Sequence, residues 1–132
     1  MAHITSLYAG LCALLIIALA FRIVVFRRSE KVGLGSGGQH RGQVLIRAHA
    51  NAIEYIPVAL LLLLLAELNG LGAAWLHLLG GIFVLARLLH AYGLTASQGG
   101  YHPGRFIGTA ASWAVIIMLA GVNIGMAVGA AA

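Results

Sequence analysis

The segment RAHANAIEYIPVALLLLLLAELNG, residues 47–70, places an arginine, a histidine, an asparagine and a glutamate at the head of a strongly apolar run. A charged side chain inside the hydrocarbon of a membrane costs about 2.5–3.5 kcal/mol on insertion scales, so it requires a structural or functional reason. The segment also has the length that a helix needs to cross a bilayer. We interpret it as a membrane-spanning helix whose polar end has a specific role.

The composition of the whole chain is that of an integral membrane protein. Of its 132 residues, 61% are apolar and only 8% are charged, whereas about a quarter of the residues of a soluble domain are charged. Apolar stretches of this kind predict four membrane spans, at residues 4–26, 45–68, 72–94 and 106–130. The predicted fold is an all-α, four-transmembrane-helix bundle that forms a single domain over residues 1–132.

The distribution of basic residues predicts the orientation of the spans. Six of the eight lysines and arginines lie in or beside the first loop, and the other two, Arg87 and Arg105, flank the third loop. The positive-inside rule then places loops one and three in the cytoplasm and both termini outside. This placement explains the net charge of +5 without a nucleic-acid partner.

Neither metal nor disulfide chemistry is predicted. Cys12 is the single cysteine, so one chain cannot build a disulfide or a thiolate metal site from it. No histidine or carboxylate pair has the spacing of metal ligands. On the fourth span, Gly121, Gly125 and Gly129 form a small-xxx-small pattern, which favours close packing of helices within the bundle or between copies of the chain.

Polar side chains recur at one depth on three predicted helices. An α-helix advances about 100° per residue, so Arg47, Asn51 and Glu54 share one face of the second span, with Tyr55 one step further round. Further sets share a face on the other two spans: Arg87, His90 and Leu94 on the third, and Arg105, Thr109 and Ser112 on the fourth. Three polar stripes near one membrane boundary are typical of a ligand site.

These polar side chains suit a small zwitterion that bears additional carboxylates. Arginine binds a carboxylate through a two-point fork, and Glu54 can accept an ammonium group. Structural roles remain open at this stage. Arg47 and Glu54 can form an ion pair that fixes helix packing, Arg87 and Arg105 can extend to the interface, and the basic residues after the first span can act in topology alone.

The pattern R-A-x-x-N-x-x-E-Y-x-P resembles the second-helix signature of the MAPEG family, the membrane-associated proteins in eicosanoid and glutathione metabolism. It is matched here at Arg47, Ala48, Asn51, Glu54, Tyr55 and Pro57. The resemblance extends over essentially the whole chain, including the basic cluster that ends the first helix and the segments ARLLHAYG (86–93) and GRFIGTAAS (104–112). It is similar to the short bacterial members, which implies a bacterial inner membrane.

The resemblance implies a homotrimer that binds glutathione between neighbouring subunits on the cytoplasmic side. The residues implied to contact glutathione are Arg47, Asn51, Glu54 and Tyr55, with a carboxylate bound by Arg27 or Arg28 and the sulfur facing Arg105. A guanidinium beside a thiol favours the thiolate, which is the reactive nucleophile. The implied activity is that of a transferase or peroxidase acting on lipophilic electrophiles or lipid hydroperoxides, with membrane lipids as surroundings.

The third span departs from the family pattern. Glutathione-using members carry tyrosines where His90 and Leu94 stand here, and Tyr92 points to another face. We expect His90 to supply a hydrogen bond to glutathione in place of one lost hydroxyl. The alternative function is that of a non-catalytic member of the fold, which binds lipid or serves as an accessory or structural subunit of a membrane complex.

Overall fold

Four long helices account for most of the chain. The computed structural model describes residues 2–131 and contains the helices α1 (His3–Ser29), α2 (His40–Leu68), α3 (Ala73–Ala96) and α4 (Pro103–Ala131). Each helix is long and apolar enough to cross a membrane. The four predicted spans are therefore confirmed as helices, which extend two to five residues beyond the predicted bounds at the end where α1 and α3 finish and α2 and α4 begin.

The helices alternate in direction, so the bundle has two distinct ends. At the end where α1 and α3 finish and α2 and α4 begin lie the basic loops, and we call this the basic end. At the opposite end, Glu67 of α2 accepts hydrogen bonds from the backbone N–H groups of Ile4 (2.9 Å) and Thr5 (2.7 Å). These are two of the N–H groups that a helix leaves without partners at its start, so the carboxylate ties α1 to α2.

Helices α3 and α4 approach each other closely because α4 presents small residues to α3. A Cβ atom added to Gly108 would lie 2.5 Å from the carbonyl oxygen of Ala86 and 2.6 Å from the backbone nitrogen of His90. Gly93 of α3 is packed in the same manner against the backbone of Arg105. These two contacts leave no room for a side chain, and they fix His90 and Arg105 on adjoining helices.

The glycine stripe farther along α4 does not pack inside the bundle. A Cβ atom added to Gly121, Gly125 or Gly129 would meet no atom within 4 Å in the described part of the chain. The small residues that pack against α3 are instead near the basic end, at Gly104 and Gly108. Packing within the bundle, one of the two roles that the pattern allowed, is therefore not found for the 121–129 stripe in the described residues, and packing against another copy stays a prediction.

Arg87 is a buried cation that joins three helices. Its side chain is only 2% exposed, and it donates to Oδ1 of Asn51 on α2 (2.9 Å) and to the carbonyl oxygen of Gly108 on α4 (3.3 Å). The guanidinium also lies over the ring of Tyr55, 5.3 Å from the centroid, where a cation is attracted by the aromatic face. Extension of Arg87 to the membrane interface, which the sequence left open, is therefore excluded.

We expect Gly108→Ala to destabilise the protein by about 1–3 kcal/mol, because the added methyl group overpacks the contact between α3 and α4. Thermal unfolding in detergent, followed by circular dichroism, measures the change. Gly10→Ala in α1 is the matched control, since it adds the same methyl group to open space and should leave the midpoint unchanged or raise it. Equal midpoints for the two variants would contradict the packing described here.

We also expect Arg87→Lys to destabilise the protein by about 1–3 kcal/mol. Lysine keeps the charge but lacks the planar fork, so one of the buried acceptors loses its partner. Arg28→Lys makes the same change at an exposed position and should have little effect. The same unfolding measurement compares the midpoints of the two variants. An unchanged midpoint for Arg87→Lys would show that stability does not depend on the forked hydrogen bonds of Arg87.

Candidate functional site

A cavity of about 220 Å³ lies near the basic end, and we call it the polar cavity. It is lined by residues of α2, α3, α4 and the third loop: His40, Gln43, Val44, Arg47, Asn51, His90, Leu94, Gly99 and Arg105. Four of the eight residues predicted for the site are in this set, namely Arg47, Asn51, His90 and Arg105. The fold thus brings together side chains from three different helices.

The orientation of Asn51 in this cavity follows from its contact with Arg87. Guanidinium groups only donate hydrogen bonds, and Arg87 donates to the side-chain oxygen of Asn51. The oxygen is therefore turned toward α3, and the amide nitrogen of Asn51 is the group left for a ligand. Arg87 itself is not among the residues that line the cavity.

The third loop holds Arg105 at the edge of the polar cavity. Nη1 of Arg105 donates to the carbonyl oxygens of Gly99 (2.6 Å) and Gly100 (3.1 Å). Within residues 2–131, the other two nitrogens of the guanidinium have no hydrogen-bond acceptor. The loop is fastened to α2 in turn, since Nε2 of His40 lies 2.6 Å from the carbonyl oxygen of Gln98. Arg105 is thus fixed by one nitrogen and keeps donors for a ligand.

A larger cavity of about 670 Å³, the apolar cavity, shares part of its wall with the polar one. It is lined mainly by aromatic and small residues of the third loop and α4: Gly99, Gly100, Tyr101, His102, Arg105, Phe106, Thr109, Ala110 and Trp113. Gly99 and Arg105 line both cavities. A polar and an apolar compartment therefore meet at one arginine.

Arg47 and Glu54 form an ion pair along α2 at the mouth of the polar cavity. Nη1 of Arg47 lies 3.2 Å from Oε1 of Glu54, and the two side chains are 59% and 49% exposed. The pairing that the sequence allowed is therefore present in the single chain. Exposed ion pairs contribute only about 0–1 kcal/mol, so a ligand with a carboxylate and an ammonium group can replace this pair at little cost.

The other four predicted residues do not line either cavity of the single chain. Glu54 is turned to Arg47, and Tyr55 lies under the guanidinium of Arg87. Nε of Arg27 donates to the carbonyl oxygen of Gly35 in the first loop (3.1 Å), and the side chain of Arg28 is exposed. Their predicted contacts with glutathione stay predictions.

Arg87 and His40 belong to this region, although neither was among the residues predicted to contact glutathione. Arg87 lies three residues before His90, on a helix without a carboxylate, and this combination was the available indication of a buried functional cation. His40 follows a glycine-rich segment without helical periodicity. Only the contact between α2 and the third loop brings it to the cavity.

Comparison with known proteins relates the chain to one family. A model of the MAPEG family matches residues 5–125, a range that includes most of all four helices. The chain is also 34% identical over 125 residues to "Inner membrane protein YecN" of Escherichia coli strain K12, covering 92% of this chain and 90% of that protein. The protein of the same name from Escherichia coli O6:H1 gives the same figures. The family predicted from the second-helix signature is thereby confirmed, and the chain belongs to the MAPEG family.

Proposed function

We propose that the protein is a membrane-bound, glutathione-dependent transferase or peroxidase that acts on lipophilic electrophiles or lipid hydroperoxides. The observation that carries this proposal is the meeting of the polar and the apolar cavity at Arg105. A water-soluble thiol and a bilayer-soluble electrophile need two compartments of opposite character with a shared boundary. Membership of the MAPEG family supports glutathione as the thiol.

The polar cavity and the Arg47–Glu54 ion pair beside it offer groups that match the peptide part of glutathione. Arg47 can bind a carboxylate through its fork once it leaves Glu54, and Glu54 can then accept the ammonium group. The amide nitrogen of Asn51 and the ring of His90 add hydrogen bonds from two sides of the cavity. The carboxylate and ammonium groups of the tripeptide would thus replace the contact between Arg47 and Glu54, which is an exposed and weak ion pair.

Arg105 is the residue that we assign to the sulfur. A guanidinium is a positively charged group that only donates hydrogen bonds, and a positive charge beside a thiol favours loss of the proton. The thiolate then attacks an electrophilic carbon in the apolar cavity, forming a C–S bond as the leaving group departs. With a hydroperoxide, it attacks the terminal oxygen and the O–O bond breaks. This step leaves an alkoxide, which takes a proton from water to become the alcohol, and glutathione sulfenic acid, which a second glutathione converts to the disulfide and water.

The site of a single chain is smaller than a complete ligand pocket. Pockets for small molecules typically start at about 300 Å³, whereas the polar cavity measures about 220 Å³. The outward-facing stripe of Gly121 to Gly129 also allows close contact with another copy. We therefore propose a homotrimer in which a neighbouring subunit completes the site and contributes Arg27 or Arg28.

The proposed location is the inner membrane of a bacterium, as in the Escherichia coli relatives. The basic end would face the cytoplasm, with both termini outside, because positively charged loops stay on the cytoplasmic side. This orientation gives the polar cavity access to cytoplasmic glutathione and gives the apolar cavity access to lipophilic molecules in the bilayer.

The first test is isothermal titration of glutathione into the detergent-purified protein. We expect saturable binding to the parent, and binding at least about tenfold weaker for Arg47→Ala, Glu54→Ala, a loss that corresponds to about 1.4 kcal/mol. A control variant, Glu30→Ala, Lys31→Ala, removes the same two charges outside both cavities and should bind like the parent.

The titration also decides between the proposal and its alternative. If the parent does not bind millimolar glutathione while its oligomer is intact by light scattering, the non-catalytic, lipid-binding or accessory function replaces the proposal. Equal weakening in the control and in Arg47→Ala, Glu54→Ala would remove the assignment of the polar cavity as the glutathione site.

Substitution of Arg105 tests the proposed chemistry. We expect Arg105→Gln to retain the oligomer and most of the glutathione affinity, but to lower turnover of a chloronitrobenzene electrophile by about 10²–10³-fold, because an electrostatic stabiliser of the sulfur charge is lost. Ultraviolet difference absorbance of bound glutathione should show a smaller thiolate fraction in this variant. Lys31→Gln is the control, because it removes one positive charge outside both cavities and should leave the turnover unchanged. Undiminished turnover of Arg105→Gln would remove Arg105 from the mechanism.

A further inference from the structure

We infer that the protein binds an anionic phospholipid in a groove between α1 and α2, separate from the proposed thiol site. This α1–α2 groove has a volume of about 200 Å³ and is lined by Phe21, Arg22, Val25, Phe26, Ser29, Arg41 and Leu45. None of these residues lines the polar or the apolar cavity. The inference therefore does not depend on glutathione binding or catalysis.

The groove carries two positive charges without a carboxylate partner. Arg22 lies toward the end of α1 and Arg41 in the first turn of α2, and both are exposed. Among the described residues the carboxylates are occupied elsewhere: Glu54 by Arg47, Glu30 by Gln39 and Glu67 by the start of α1. Two guanidinium groups on one small cavity repel each other unless an anion lies between them.

The contacts of Arg22 leave its charge available. Its single hydrogen bond within residues 2–131 is a long one, from Nη1 to Oγ1 of Thr95 on α3 (3.4 Å). A threonine hydroxyl carries no charge, so this contact does not neutralise the guanidinium. The hydroxyl of Ser29 donates to the carbonyl oxygen of Phe26. The groove thus presents two strong cationic donors to whatever occupies it.

The remaining walls of the groove distinguish a lipid from a soluble anion. Phe21 and Val25 of α1 are 64% and 49% exposed, and they offer an apolar surface directly beside the arginines. Arg22 also lies within the predicted first span, so its long side chain must extend toward the headgroup level to keep its charge hydrated or paired. A phosphodiester can pair with the guanidinium groups of Arg22 and Arg41. The acyl chain of the same lipid can then pack along Phe21 and Val25. Basic pockets between transmembrane helices bind anionic headgroups in this manner.

Native mass spectrometry of the full-length, detergent-purified protein tests the inference. Phosphatidylglycerol and phosphatidylcholine with identical acyl chains are the two probes. We expect the parent to retain phosphatidylglycerol about tenfold more strongly than phosphatidylcholine, and Arg22→Gln, Arg41→Gln to lower that retention to the phosphatidylcholine level. Lys31→Gln removes a positive charge outside both the groove and the proposed thiol site, and it should retain phosphatidylglycerol like the parent.

Two further arms of the experiment separate recognition of a lipid headgroup from misfolding and from binding of a free anion. Arg22→Lys, Arg41→Lys keeps both charges and should recover at least part of the lost retention, which misfolding of the glutamine variant would not produce. Equal retention of the two lipids by the parent, or equal losses in the groove and control variants, would overturn the inference. Displacement of phosphatidylglycerol by millimolar inorganic phosphate would also overturn it, since the groove would then bind a free anion.

Discussion

The geometry of the bundle near its basic end depends on the hydrogen bonds of one buried guanidinium, that of Arg87. In a membrane interior no water is available to a buried cation, so its hydrogen bonds depend on acceptors inside the protein. Arg87 of α3 finds an amide oxygen on α2 and a backbone carbonyl on α4, so three helices must meet at fixed distances. Gly108 allows this meeting, because any side chain there would separate α4 from α3.

The same arrangement gives the site residues different degrees of freedom. The side-chain oxygen of Asn51 is fixed by a hydrogen bond from Arg87. Arg105 is held through one nitrogen, which donates to the third loop. Arg47 is bound only to Glu54, in an exposed pair that opens at little cost. An oriented amide, an anchored guanidinium with free donors and an exchangeable ion pair together suit a ligand that enters, is aligned and leaves after reaction.

Much of the fold and half of the candidate site follow from local sequence patterns. Apolar run lengths predicted four helices, because a membrane-spanning backbone must form its hydrogen bonds within the helix. Shared helix faces brought Arg47 and Asn51 together and placed His90 and Arg105 in the polar stripes of the third and fourth spans. The resemblance added the expected contacts of these residues with glutathione. Periodicity gives the angle of a residue about its own helix but not how that helix is rotated against its neighbours. It therefore could not show that Tyr55 turns to Arg87, nor that Gly108 packs inside the bundle while the 121–129 stripe faces outward.

The residues that α3 contributes to the polar cavity offer few hydrogen-bond donors for the sulfur of glutathione. His90 and Leu94 occupy positions where the family resemblance leads us to expect tyrosines, and Leu94 offers no hydrogen bond. His90 is buried against Gly108 of α4, so the packing of the two helices fixes its place. Thr109 already donates its hydroxyl to the carbonyl oxygen of Arg105 (2.9 Å). With fewer hydroxyl donors available, stabilisation of the sulfur falls mainly to the charge of Arg105, which favours a thiolate over a neutral thiol.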